Sequence, residues 1–259
     1  MWTRGYLKER AKNVLRVSYW KAFLVSIILG FAGAEGGSSG GNGSFINSQG
    51  NIDNFPDGEA AIGYLILVLV IVGIVLLFGF AFRIFLGYPL EIGGRRFFIE
   101  NAQLEGQTST DLNTLGFAFK KERYMDIIKA MLYKGVLNFL WYLLLIIPGI
   151  VKSYAYMMVP YILAENPNIG YKRALELSDQ MTYGHKLNIF VLRLSFFGWY
   201  FLGVMCCCVG VIFVVPYENA TMAELYLVLK GQAIDKEICS REEFWPEIMT
   251  PQQGFNEFQ

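Results

Sequence analysis

From Ile62 to Phe82 the chain carries no charged side chain. Wound as an α-helix, that stretch spans about 31 Å, the thickness of the hydrocarbon core of a bilayer. Soluble cores rarely hold an apolar helix of this length, so the first constraint on the fold is a membrane. The rest of the sequence agrees. Only 17% of its 259 residues are charged and 54% are hydrophobic, where a soluble domain carries about 25% charged residues. The mean hydropathy is +0.37. The formal net charge is zero, which gives no global field for nucleic acid or an acidic partner. Charge is informative here only by position.

Position sets an expected topology. Thr3 to Tyr19 reads as a basic amphipathic helix, with Leu7, Ala11, Val14, Leu15 and Ser18 near one face and Arg4, Lys8, Arg10, Lys12 and Arg16 around the rest. Such a helix suits the cytoplasmic membrane surface. A short first span follows over 20–34, with Tyr19 and Trp20 at the interface. Ala32-Gly33-Ala34 also fits a signal-peptide cleavage site, although the basic segment before it is long and helical for one. The Gly/Ser/Asn-rich stretch 35–60 has acidic residues and no Lys or Arg, which places it as an outer loop. A second span covers 61–86. Basic residues from Arg95 to Arg123 put the next connection inside, with interfacial helices over Ile92–Asn101 and Thr114–Lys129. An apolar region interrupted by Pro148-Gly149 gives spans over 127–147 and 149–165 that turn outside at those two residues. Ile169–Met181 reads as another interfacial helix. The apolar region Leu187–Leu229 is long enough for spans over 187–206 and 209–229, turning near Cys208-Val209-Gly210.

The expected fold is therefore all-α and polytopic. It has about six transmembrane helices in three hairpins, with amphipathic helices at the cytoplasmic interface. Residues 1–230 form one transmembrane domain, 231–259 an acidic cytoplasmic tail, and both termini are cytoplasmic. A faint echo runs through it: Tyr88-Pro89, Pro160-Tyr161 and Pro216-Tyr217 recur in spans two, four and six. They read either as three related hairpins or as the tolerance of membrane helices for proline.

Motifs for chemistry are sparse. There is no phosphate-binding glycine loop, zinc-protease motif or nucleophile elbow. His185 is the only histidine, and the adjacent Cys206, Cys207 and Cys208 cannot supply spaced metal ligands. No metal or cofactor is expected. Ionisable groups inside spans are more informative, because each costs at least a few kcal/mol unless paired or hydrated. Arg193 and Glu224 lie at similar expected depths and form a candidate ion pair. Glu218 and Asn219 follow Pro216, which frees a backbone carbonyl, and with Asn138 of the third span they form a candidate intramembrane polar site.

Several motifs together resemble a known family. They are Ile146-Ile147-Pro148-Gly149-Ile150-Val151-Lys152, Pro160 to Pro167, Gly184-His185-Lys186, Phe196-Phe197-Gly198-Trp199, and Pro216-Tyr217 followed by Thr221, Ala223 and Tyr226. The chain resembles the bacterial integral membrane proteins known as domain of unknown function nine-seven-five, from the N-terminal helix to about Lys230. The resemblance implies a protein of the bacterial cytoplasmic membrane and supplies no activity. Taken together, the expectation is a non-enzymatic protein that binds or moves a small or lipidic ligand. The alternative is a scaffold or regulatory partner of other membrane proteins. A membrane enzyme ranks third and would need His185, Lys186, Arg193 and Glu224 to converge. Besides the bilayer, its partners would be a small molecule, a lipid or other membrane proteins, and not nucleic acid.

Overall fold

A computed structural model of the chain describes residues 2–32, 58–104, 110–205 and 209–244, and these form helices joined by short connections, with no strand among them. The loop expected over 35–60, the turn at Cys206–Cys208 and the tail beyond Phe244 lie largely or wholly outside the described residues.

Helix α1 (Arg4–Phe31) begins where the Thr3 side chain accepts a hydrogen bond from the Tyr6 backbone amide, as an N-cap threonine does. It kinks at Ser18 (φ −114°, ψ 15°). The Ser18 hydroxyl donates to Val14 O at 3.0 Å, and such back-bonding bends helices. The amphipathic segment and first span expected from sequence are thus two arms of one kinked helix.

Helix α2 (Gly58–Phe82) passes through a π-helical turn (Arg83–Gly87) straight into α3 (Tyr88–Gln103). The interfacial helix expected over Ile92–Asn101 is therefore a continuation of the second span. Pro89 stands in the first turn of α3, where a proline ring disturbs least. A 3-10 helix follows (Leu112–Phe119), then α4 (Lys121–Leu144), α5 (Ile146–Ala155) and α6 (Val159–Glu165). The expected helix over Thr114–Lys129 is split at Lys120, which is extended.

The α4–α5 turn falls at Leu145 (φ −158°, ψ 140°), ahead of the expected Pro148-Gly149. Proline fits the first turn of a helix, so Pro148 opens α5 instead of breaking the chain. Gly149 then lets α5 approach α4, since a Cβ there would sit 2.7 Å from the Tyr142 ring. After α7 (Tyr171–Thr182) come α8 (Lys186–Met205), α9 (Val209–Asp235, with Pro216 inside it) and a short α10 (Arg241–Phe244).

The core lies where α1, α3, α6 and α9 meet, around Phe97, Phe98, Ile162, Leu225 and Tyr226. Gly93 and Gly94 permit the closest approaches: a Cβ on Gly93 would meet Leu115 O at 2.3 Å, and one on Gly94 would meet Leu29 at 2.6 Å. The described residues after α9, as far as Phe244, dock on the helices. Cys239 and Phe244 are buried, and Arg173 holds Glu243.

Five helical stretches are long and apolar enough to cross a membrane: Tyr64–Gln103, Lys121–Leu144, Ile146–Glu165, Lys186–Met205 and Gly210–Asp235. Not one residue of the most apolar 18-residue window in the first is buried by protein. The second arm of α1, Tyr19–Phe31, is not among the five, and at 1.5 Å per residue it spans only about 20 Å. Exposed apolar surface also covers the ends of the α4–α5 and α8–α9 pairs, at Leu143, Ile147, Phe197 and Met205. Water would not tolerate that area on a lone soluble chain.

Candidate functional site

The core helices bring polar side chains together from four directions. Arg95 on α3 donates through Nη1 to Asn219 Oδ1 on α9 at 2.6 Å and to the Tyr161 hydroxyl on α6 at 3.2 Å. Asn219 Nδ2 in turn donates to Ser26 Oγ on α1 at 3.3 Å. The Tyr161 ring stacks on Tyr226, with centroids 5.4 Å apart. Tyr226 donates to Glu165, which also takes Lys230 Nζ at 2.7 Å on each oxygen. Every member of this chain of contacts is buried, where polar groups depend on such partners.

The expected Arg193–Glu224 pair does not form. Arg193 Nε donates to Glu218 Oε1 at 3.3 Å, and Tyr200 donates to the other Glu218 oxygen. Glu224 is held by Arg10 Nε at 2.8 Å. The reason is register: Tyr200 and Glu218 meet across the α8–α9 pair, which puts Arg193 beside Glu218. The N-terminal helix, read as lying apart at the membrane surface, packs along α9 and delivers Arg10 to Glu224. Of the three residues grouped as a polar site, Asn219 joins Arg95, Glu218 joins Arg193, and Asn138 joins neither. Its Oδ1 is buried without a hydrogen bond.

A second charged group lies between α3 and α4. Arg83, in the π turn, donates to Glu91 Oε2 at 3.0 Å and to Ala32 O at the end of α1. Lys134 on α4 stands near this pair: a Cβ on the next residue, Gly135, would lie 3.4 Å from the Tyr88 hydroxyl, and the Arg83 guanidinium sits 5.0 Å over the Tyr88 ring. The Lys134 ammonium makes no hydrogen bond or ion pair among the described residues. Sequence reasoning missed this group because it treated Arg95 as part of a cytoplasmic connection. The available signal was that Gly87 is the sole weak helix former between Phe82 and Tyr88.

Outside the spans, Asp179 on α7 ties Lys152 and Lys186, each at 2.8 Å. Burial pushes its carboxyl up, but the two lysine hydrogen bonds outweigh this and hold it below the ordinary carboxylate value. His185 is pushed down, chiefly by burial and then by Lys236. Clefts open to solvent lie elsewhere among the described residues. One of about 430 Å³ is lined by Lys230, Ile234, Arg241 and Glu242; another, of about 170 Å³, lies between α4 and α7. Glu218 lines neither.

The fold and these charged layers define a helical multi-pass membrane protein. Residues 121–233 match a family described as protein of unknown function (DUF975), the family that the sequence motifs resemble. The match begins at α4, so α1 to α3 lie outside it. No curated protein and no solved structure matches the chain.

Proposed function

We propose that this is a non-enzymatic protein of the bacterial cytoplasmic membrane that binds a small or lipidic ligand carrying negative charge. The observation behind this reading is the unmet ammonium of Lys134, in a helix apolar enough to span, beside two arginines and a single carboxylate. An isolated cation at that depth costs at least a few kcal/mol, and an anionic ligand removes the cost. In this topology Tyr19–Ala32 supplies a sixth crossing, the helices pair as three hairpins, and both termini are cytoplasmic. The basic residues of α1 and of the 120–129 segment favour that orientation.

Catalysis is disfavoured because the candidate residues are dispersed. Lys186 serves Asp179, Arg193 serves Glu218, Glu224 serves Arg10, and His185 faces Trp2. Carriage through Glu218 is disfavoured by its engagement with Arg193 and Tyr200. The scaffold reading rests on α2, whose apolar side chains are unburied, but lipid alone can cover such a helix.

Native mass spectrometry of the gently extracted full chain tests the proposal. A retained anionic adduct that is lost in Lys134→Gln is expected; the same bare mass for both proteins across detergents would end it.

A further inference from the structure

Two cations of the α3–α4 group share a feature that bears on the chemistry of the ligand. Each stands where its helix changes surroundings. Arg83 opens the π turn just after α2, whose apolar side chains are exposed from Tyr64 to Phe80, and burial begins at Gly87. Lys134 follows the buried Ile127, Ile128, Ala130 and Met131 and precedes the exposed Val136, Phe139, Leu140 and Leu143. A cation at the edge of an uncovered apolar surface is what the head of an amphiphile requires, with its tail lying on the adjoining surface.

The hydrogen-bonding capacity is also unspent. Arg83 uses its two Nη groups on Glu91 and Ala32, leaving Nε without an acceptor among the described residues. Lys134 uses none of its three donors. Arg83 is placed by the π-helical turn Arg83–Gly87, a distortion frequent at functional sites. Gly87 keeps that turn close, since a Cβ would lie 2.6 Å from Ala32 O and 3.0 Å from the Arg83 side chain. Arg83 holds Glu91 at 3.0 Å, and Gly135, next after Lys134, comes against the Tyr88 side chain over which the Arg83 guanidinium lies, so among the described residues two cations meet one carboxylate here.

We propose that Lys134 and Arg83 bind the phosphate group of an anionic phospholipid, with Glu91 setting the position of Arg83. The proposal rests on the ligand-binding reading above and narrows it to one ligand chemistry. A phosphodiester offers two unesterified oxygens, one for the lysine ammonium and one for an arginine N–H, with charge-assisted hydrogen bonds to both. Arg95, committed to Asn219 and Tyr161, adds field rather than contact.

The test uses the full chain purified in neutral detergent and titrated with four probes: phosphatidylglycerol, phosphatidylcholine, sodium phosphate and oleate. Binding is read by thermal shift and by native mass spectrometry. Phosphatidylglycerol should bind best, and Lys134→Gln should weaken it by roughly tenfold or more, the loss of a charge-assisted hydrogen bond. Lys134→Arg should restore most of the affinity. Since Lys134 has no hydrogen-bond or ion-pair partner to lose among the described residues, Lys134→Gln should melt without ligand at the wild-type temperature, which separates binding from folding. Equal binding of phosphatidylglycerol by wild type and Lys134→Gln overturns the site. Sodium phosphate competing at equal affinity overturns the lipid source and leaves a soluble phosphate ligand. Oleate binding through Lys134 without phosphatidylglycerol binding overturns the phosphate chemistry but leaves the broader function standing. Binding of no probe, with no native adduct, removes both.

Discussion

Glu165 on α6 and Lys230 on α9 form a buried salt bridge in which the ammonium reaches both carboxylate oxygens at 2.7 Å. The side chains are only 9% and 11% exposed, and Tyr226 donates to the same carboxylate. This pair locks the short, wholly buried α6 to α9.

Removing one partner strands the other charge. Lys230→Met or Glu165→Leu should each cost about 3–5 kcal/mol, while the double variant should lie much nearer wild type. Chemical unfolding in detergent measures all four proteins of the cycle. Additive losses would mean that the two charges do not stabilise each other.

Asp179 carries a different burden, because Lys152 and Lys186 converge on it from α5 and α8. Asp179→Asn leaves two cations facing each other at a partly exposed site. A loss of about 1–2 kcal/mol is expected, falling with added salt because the site is near solvent. A thermal melt at low and high ionic strength checks both the size and the trend.

Glu243 gives a pH dependence. Hydrogen bonds from Arg173 at 2.7 and 3.1 Å hold its carboxyl below the ordinary value of 4.5. A carboxylate with a depressed folded value adds stability above its unfolded pKa and loses it as pH falls through the folded one. Docking of Arg241–Phe244 should therefore weaken below about pH 4.5. Hydrogen exchange in that segment, corrected for intrinsic rate, should rise there in wild type. In Glu243→Gln it should be raised already at neutral pH.

Close packing is testable at a single methyl. Gly93→Ala drives a Cβ against the backbone of Leu115 at 2.3 Å, which should cost about 1–3 kcal/mol. Gly116→Ala, with nothing within 4 Å, is the control and should leave the melting temperature almost unchanged.

Much of the helical content was legible because apolar length alone marks a membrane helix. The stretch from Ile62 to Phe82 needed no other argument, and the change from Leu187 to Lys186 marks the start of α8. What stayed hidden depends on register across helices. Arg193 was paired with Glu224 by equal distance from flanking lysines, a rule that ignores which face each residue occupies. Arg95 looked like a charge of a cytoplasmic connection because basic residues are read as flanks, and Lys134, inside the expected span 127–147, was not singled out. The proline echo was the overlooked pointer. Pro89, Pro160 and Pro216 stand six, one and three residues before Arg95, Tyr161 and Asn219, the three side chains that meet at the core. Sequence alone left two explanations for those prolines, and their convergence needs three-dimensional contacts to see.

A cryo-electron microscopy map of the full chain in native lipid would test the ligand site most directly. The account predicts density for an anionic group within hydrogen-bond distance of Lys134 Nζ, with Arg83 on its other side. Lys134 hydrogen-bonded to Glu91 or Asn138, with no density beside it, would contradict the account.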